Sequence, residues 1–248
     1  TSGTTGKPKG AMITQANICS VLSGLATSLF EGQKEGGERI AFLPLCHIAE
    51  RMIGEYIPIM RRSVINFVEN PETVPENVRE IAPTVFTAVP RVWEKFYSGV
   101  MIALKESSRL QQATYAWAIG VGQKVAERVL AGEPVAWALR AQFTLARWLA
   151  LNNVRKMIGI HRSRYLVTGA APISPELVRW YLALGVPMLE VWGMTETCGS
   201  HTLSYVDHVP EFKGSMGPSM PGMQHRIIDI ETGKRIRRSG VWQAALQS

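Results

Sequence analysis

The opening residues, Thr1-Ser2-Gly3-Thr4-Thr5-Gly6-Lys7-Pro8-Lys9-Gly10, gather the groups that a polyphosphate cradle uses. Gly3, Gly6 and Gly10 let backbone N–H groups converge on anionic oxygens, because a positive φ costs glycine little. The hydroxyls of Thr1, Ser2, Thr4 and Thr5 add donors, and Lys7 and Lys9 add charge. The pattern is not a Walker A loop, which needs glycine where Thr1 stands and Ser or Thr where Pro8 stands. Taken alone, the same composition also suits a solvated surface turn.

Other candidate residues lie where strand signals end. Gly169-Ala170-Ala171-Pro172 follows the apolar run Arg164–Thr168, and its small residues would let a flat base approach the backbone. Trp192-Gly193-Met194-Thr195-Glu196 follows Met188–Val191. A lone Glu in a strand-to-helix turn commonly caps a helix or faces solvent, and an isolated Trp is commonly core. Glu196, however, sits at the carboxyl end of a predicted strand, where open α/β sheets bind ligands. His47 precedes a helical stripe and has the ordinary reading of a capping or core residue. Cys198, His201, Asp207 and His208 fit no zinc spacing and read as loop. His161, Arg162 and Arg164 read as a basic turn before a strand.

These residues need elements to hold them. Ala11–Ile13 reads as a strand end, and Thr14 as the N-cap of a helix reaching about Phe30. Ile40–Pro44 reads as a buried strand, Ile48–Met60 as a helical stripe, Pro71–Ile81 as a short helix and Thr84–Ala88 as a strand. From about 91 to 159 strand signals vanish. Helical runs cover Arg91–Ser107, Arg109–Ala131 and Pro134–Met157, rich in Arg and in Trp93, Trp117, Trp137 and Trp148. Alternation then resumes, with Ser174 capping a helix to Leu184. Repeated strand–loop–helix units predict an α/β fold with mostly parallel strands and an all-helical insertion.

The chain has 248 residues, 46% hydrophobic and 19% charged, which suits a globular protein with a sizeable core and excludes a disordered or collagen-like polymer. A net charge of +7 favours acidic partners without choosing among them. In the helical block apolar residues are dense and basic ones scattered, which favours packing over nucleic-acid binding. Cys19, Cys46 and Cys198 lie far apart, so a reducing, cytoplasmic setting is the simpler expectation. No segment reads as a membrane span or a signal peptide.

Thr1–Gly10, Leu43-Pro44-Leu45-Cys46-His47, Gly169–Pro172 and Trp192–Glu196, in that order, closely resemble signatures of the adenylate-forming (AMP-binding) superfamily. That superfamily includes acyl-CoA synthetases, peptide-synthetase adenylation domains and luciferases. The resemblance covers Thr1 to Ile228. Pro44–Met52 and the long helical block are most similar to long-chain fatty acyl-CoA synthetases of the bacterial or "bubblegum" type. The implied fold is the central part of the large N-terminal domain of such an enzyme. The implied reaction uses ATP to convert a fatty acid to acyl-AMP and then, with coenzyme A, to acyl-CoA.

The resemblance also implies residue roles. Thr1 and Glu196 would hold Mg²⁺. The loop from Thr1 to Lys9 would bind the phosphates. Gly169, Ala170, Ala171, Trp192, Gly193, Met194 and Thr195 would bind the nucleotide, with Trp192 against adenine where the family usually has Tyr. His47, Thr195 and Glu196 would form the catalytic set, His47 flanking the carboxylate and α-phosphate. The helical block would help wall an acyl tunnel and approach a membrane surface.

The family's pattern is not followed throughout. Glu231-Thr232-Gly233-Lys234 starts an expected hairpin, but Arg235–Ser248 matches nothing, and the ribose-binding Thr-Gly-Asp, the hinge and the lid with its catalytic lysine are not found. Lys234 is not that lysine. The expectation is a partial AMP-binding domain over 1–248 that binds nucleotide weakly and does not complete the cycle alone. A non-catalytic nucleotide-binding remnant and an activator of aryl or amino acids remain alternatives.

Overall fold

The computed structural model describes residues 10–30, 33–204, 216–224 and 232. The loop Thr1–Lys9, Asp207, His208 and Lys234 therefore lie outside the described residues.

The first helix, α1 (Gln15–Ala26), starts as its sequence dictates. Thr14 Oγ1 accepts the Asn17 amide at 3.2 Å, and Asn17 Oδ1 accepts the Thr14 amide at 2.9 Å. It ends before the expected Phe30 because the Phe30 amide turns back to the Leu25 carbonyl at 3.0 Å, which drives the Phe30 ring into the core. Ala11–Ile13 forms no strand, and Met12 is 97% exposed.

Strand β1 (Glu38–Ala41) pairs in parallel with β2 (Val64–Phe67). Between them run α2 (Ile48–Arg51), a wide π turn (Met52–Tyr56) and α3 (Ile57–Arg61) as one continuous stripe. Pro58 lacks an N–H, and the ladder widens just ahead of it, where the Ile57 amide reaches the Met52 carbonyl. β2 carried no sequence signal: it is an edge strand, with Val64 and Phe67 at its two ends both exposed.

After α4 (Val74–Ile81) comes β3 (Val85–Ala88), and then the helical block: α5 (Pro90–Glu106), α6 (Arg109–Leu130), α7 (Trp137–Ala146), a π turn (Arg147–Leu151) and α8 (Asn152–Ile158). No strand interrupts it between Pro90 and Ile158. Strand β4 (Tyr165–Gly169), helix α9 (Pro175–Ala183) capped by Ser174, and β5 (Met188–Met194) follow, closed by β6 (Gly199–Leu203). The sheet order is β3-β4-β5-β6, parallel except for the antiparallel β6. Thr84 joins the two sheets: its amide donates to the Glu38 carbonyl at 2.9 Å, and its Oγ1 accepts the Glu38 amide at 3.0 Å.

Strand alternation divides the core into two layers. Phe86, Leu166 and Met188 face a cluster with Trp93, Val121, Leu151 and Tyr181 from the helices. Val85, Tyr165, Val167 and Leu189 face the other cluster, with Val21, Leu25, Phe30, Ile48 and Met52. Trp93 anchors the first. Its Nε1–H donates to the Ala88 carbonyl at 3.0 Å, and the Tyr181 hydroxyl donates to its carbonyl at 2.9 Å. Gly122 allows α6 to press onto α9, since any Cβ there would strike the Ala183 carbonyl. Of the tryptophans in the block, only Trp93 is buried; Trp137 and Trp148 are 83% and 73% exposed.

Candidate functional site

The register places the strand ends side by side. Ala88 of β3 pairs with Thr168 of β4, and Gly169 of β4 pairs with Val191 of β5. The turn Gly169–Pro172 therefore lies against β5 one residue before Trp192. Gly169 belongs there: a Cβ would sit 2.7 Å from both the Val191 carbonyl oxygen and its Cγ1. Ala170 holds a left-handed φ of 66°, a conformation uncommon for a residue with a side chain and concentrated at ligand-contacting turns. Ala170 and Ala171 are exposed.

The Trp192–Glu196 stretch departs from its expected shape. Trp192, Gly193 and Met194 are part of β5, which bulges between Trp192 and Gly193, and Glu196 lies in a 3₁₀ turn (Thr195–Thr197) leading into antiparallel β6 rather than a helix. The chain reverses because Cys198 (φ 57°) and Gly199 (φ 101°) are both left-handed, while Thr197 Oγ1 accepts the Met194 amide at 2.9 Å and donates to the Gly199 carbonyl at 2.9 Å. Gly193 has no side chain to spare, because a Cβ would collide with the Gly199 carbonyl. Cys198 and His201 are thus buried on a hairpin rather than in an open loop. The half-buried Trp192 ring meets the His201 ring edge-on, with centroids 5.5 Å apart at 88°. The Glu196 carboxylate is exposed and has no hydrogen bond or ion pair among the described residues, so it is open to a hard cation.

His47 lies beyond the carboxyl end of β1. Because the start of β1 is bonded to Thr84 just ahead of β3, β1 runs out toward the same edge as Ala88. His47 caps α2, Nδ1 accepting the Ala49 amide at 3.2 Å, which leaves Nε2 as the protonated nitrogen. The ring is exposed. The following turn packs on the hairpin, where a Cβ on Gly199 would lie 3.2 Å from Met52 Cγ. The structure thus puts His47, Gly169–Ala171 and Trp192–Glu196 at the carboxyl edge of the strands, the expected ligand edge. The loop that would complete the set, Thr1–Lys9, is outside the described residues.

Three polar residues here carried no motif. Glu50 is 3% exposed; its Oε2 accepts the Leu43 amide at 3.1 Å, and its Oε1 has no partner among the described residues. Burial raises its pKa, partly offset by the Leu43 and Phe42 amides. The available signal was its place at the third helical position after His47, where a carboxylate often reaches back to cap the chain. Thr168, buried with its hydroxyl unpaired among the described residues, lies opposite Glu190, whose pKa burial also raises.

Comparison with known proteins sets this geometry in a family. A family model described as AMP-binding enzyme matches residues 1–241. The chain belongs to that family. It is 36% identical over 231 residues to the Mycobacterium tuberculosis H37Rv protein named "Putative fatty-acid–CoA ligase fadD11", spanning 92% of this chain and 40% of that one. It is also 36% identical over 209 residues to the long-chain-fatty-acid–CoA ligase ACSBG2 of Gallus gallus, spanning 82% of this chain and 27% of that one. The chain thus spans well under half the length of either relative. A crystal structure of ATP-bound MatB from Rhodopseudomonas palustris superposes with a TM-score of 0.62 at 23% identity, over 97% of this chain and 37% of that one, a likeness of fold. The fold is that of the N-terminal domain of adenylate-forming enzymes. Among the described residues no helix is long and apolar enough to cross a membrane.

Proposed function

We propose that this chain belongs to a ligase that activates a long-chain fatty acid with ATP and passes the acyl group to coenzyme A. The observation that carries the reading is the juxtaposition, in a chain of this family, of the strained Gly169–Ala171 turn with the Trp192–Glu196 segment. In the first step a carboxylate oxygen attacks the α-phosphorus of ATP, forming an acyl–O–P bond and breaking the bond to pyrophosphate. In the second a thiol sulfur takes the acyl carbon, AMP leaves, and the thiol proton is released to a base.

The first step brings two anions together, so positioning and charge neutralisation are the protein's main tasks. Trp192 offers a ring face to adenine, and Ala170 and Ala171 leave room for the base beside it. His47 Nε2–H, oriented by its own Nδ1 cap, can donate to the carboxylate or the α-phosphate. The Thr1–Lys9 loop would cradle the β- and γ-phosphates. Glu196 and Thr1 are hard oxygen donors that suit Mg²⁺, which when bound would neutralise phosphate charge.

Contact with an anionic membrane surface is part of the proposal. On α7 and its continuation, Trp137, Ala141, Leu145 and Trp148 are all exposed at one-face helical spacing. The exposed cations Arg140 and Lys156 belong to the same helical stretch, and residues 134–164 contain no Asp or Glu. Aromatic residues and cations together favour an anionic interface.

ATP–pyrophosphate exchange by the full-length ligase to which the chain belongs, with panels of fatty, aryl and amino acids, tests the reading. Exchange restricted to fatty acids and lost in Glu196→Ala supports it; exchange with aryl or amino acids alone, or with no carboxylate, overturns it.

A further inference from the structure

At the opposite edge of the sheet, where the strands begin, arginines outnumber their counter-charges among the described residues. Arg39 on β1 is 6% exposed. Its guanidinium lies 5.9 Å from the Phe30 ring centroid, and that of Arg61 lies 4.9 Å from the same ring. Arg61 and Arg164 in turn both donate to the Lys34 carbonyl, at 2.8 and 3.3 Å. One ring and one carbonyl oxygen therefore gather three guanidinium groups.

No carboxylate among the described residues pairs with any of the three. Among the described residues the nearby acids are engaged elsewhere: Glu38 pairs with Arg162 at 3.1 Å and Glu35 with Arg62 at 3.3 Å. Arg61 also donates to the Gln33 carbonyl at 2.9 Å, and the Tyr165 hydroxyl lies beside Arg39. Burial first, then the positive charge of Arg61 and Arg164, push the Arg39 pKa below its ordinary value, while Tyr165 opposes the shift. A buried cation without a counter-ion is costly, and that cost is removed when an anion supplies the missing charge and acceptors. Exposure grows outward, from Arg39 and Tyr165 at the floor through half-buried Arg61 to exposed Arg164.

We propose that Arg39, Arg61, Arg164 and the Tyr165 hydroxyl form a binding site for a small multivalent oxyanion of the phosphate class, separate from the carboxyl-edge site. Guanidinium groups offer paired donors that match tetrahedral oxyanions. This site stands independently of the proposed ligase activity, because none of its residues lies at the carboxyl edge.

The test is titration of this chain with inorganic phosphate, by calorimetry and by thermal unfolding, with sodium chloride adjusted to hold ionic strength constant. Phosphate should bind and raise the melting temperature. Arg164→Ala, an exposed change, should weaken binding by roughly tenfold. Arg39→Met should abolish this binding yet unfold no lower than the parent in phosphate-free buffer, because it removes a buried charge that no carboxylate among the described residues pairs. Any phosphate binding that remains in Arg39→Met belongs to the nucleotide site, so the difference between the parent and variant isotherms isolates this one. Equal phosphate affinity in the parent, Arg164→Ala and Arg39→Met would overturn the proposal. So would an absence of binding, or an Arg39→Met protein destabilised without phosphate, the mark of a purely structural arginine.

Discussion

The carboxylate of Glu50 accepts the backbone amide of Leu43 at 3.1 Å, so the helix that begins after His47 reaches back and holds the loop leading to it. A buried acid whose second oxygen has no partner among the described residues is costly when ionised, which sets the direction of its pH dependence.

Glu50 has a folded pKa above its unfolded value. Its contribution to stability is therefore full below the unfolded pKa and is lost as pH rises through the folded pKa. Denaturant unfolding from pH 4 upward should show stability falling across that window, with a shallower fall in Glu50→Gln. Glu50→Ala strands the Leu43 amide and should cost about 1–3 kcal/mol at neutral pH, whereas Glu50→Gln should be near neutral or stabilising. Parallel pH profiles for parent and Gln variant would refute this.

Gly193→Ala should be among the most damaging small substitutions in the chain. Its methyl group would strike the Gly199 carbonyl and open the hairpin that presents Glu196. A loss of about 1–3 kcal/mol is expected from overpacking, together with loss of Mg-dependent ATP binding by calorimetry. Gly99→Ala, on the exposed face of α5 with nothing within 4 Å of the added carbon, should instead stabilise by about 0.5–1 kcal/mol.

At the proposed nucleotide edge, Trp192→Phe should keep ATP binding within severalfold and Trp192→Ala should weaken it about tenfold, as expected of a ring that stacks on the base. Glu196→Ala should weaken binding only when Mg²⁺ is present. Asp207→Ala should not change it. Equal effects with and without Mg²⁺ would remove Glu196 from the metal.

The tryptophans of the helical block should divide by exposure. Trp93→Ala should cost about 3–5 kcal/mol, because it empties a core position and strands the Ala88 carbonyl. The pair Trp137→Ala and Trp148→Ala should leave the unfolding midpoint nearly unchanged yet reduce co-sedimentation with phosphatidylglycerol vesicles. Undiminished sedimentation would argue against that face as a membrane contact.

Much of this fold was legible because its signals are local. Thr14 and Ser174 cap the helices they were expected to cap, and the loss of strand patterning after Val89 matches an uninterrupted helical block. What was missed depends on distant partners. β2 exists because β1 offers it an edge, not because Val64–Phe67 alternates. The turn after Met194 looked like a helix start, since the left-handed pair Cys198–Gly199 and the hydroxyl of Thr197 leave no hydrophobic period to read. The Glu50 bond and the Arg39 cluster join residues from separate elements, and neither has a motif.

The three hydrogen bonds between Thr84 and Glu38 are one fastening by which the β1–β2 ribbon joins the main sheet. The far end is fastened too: the Phe42 ring just past β1 lies 5.9 Å from the Phe86 ring of β3, and Ile48 and Met52 pack into the core shared with Val85 and Leu189. A ribbon braced at both ends works as a bracket, so the loop bearing His47 takes its position from the frame of the main sheet.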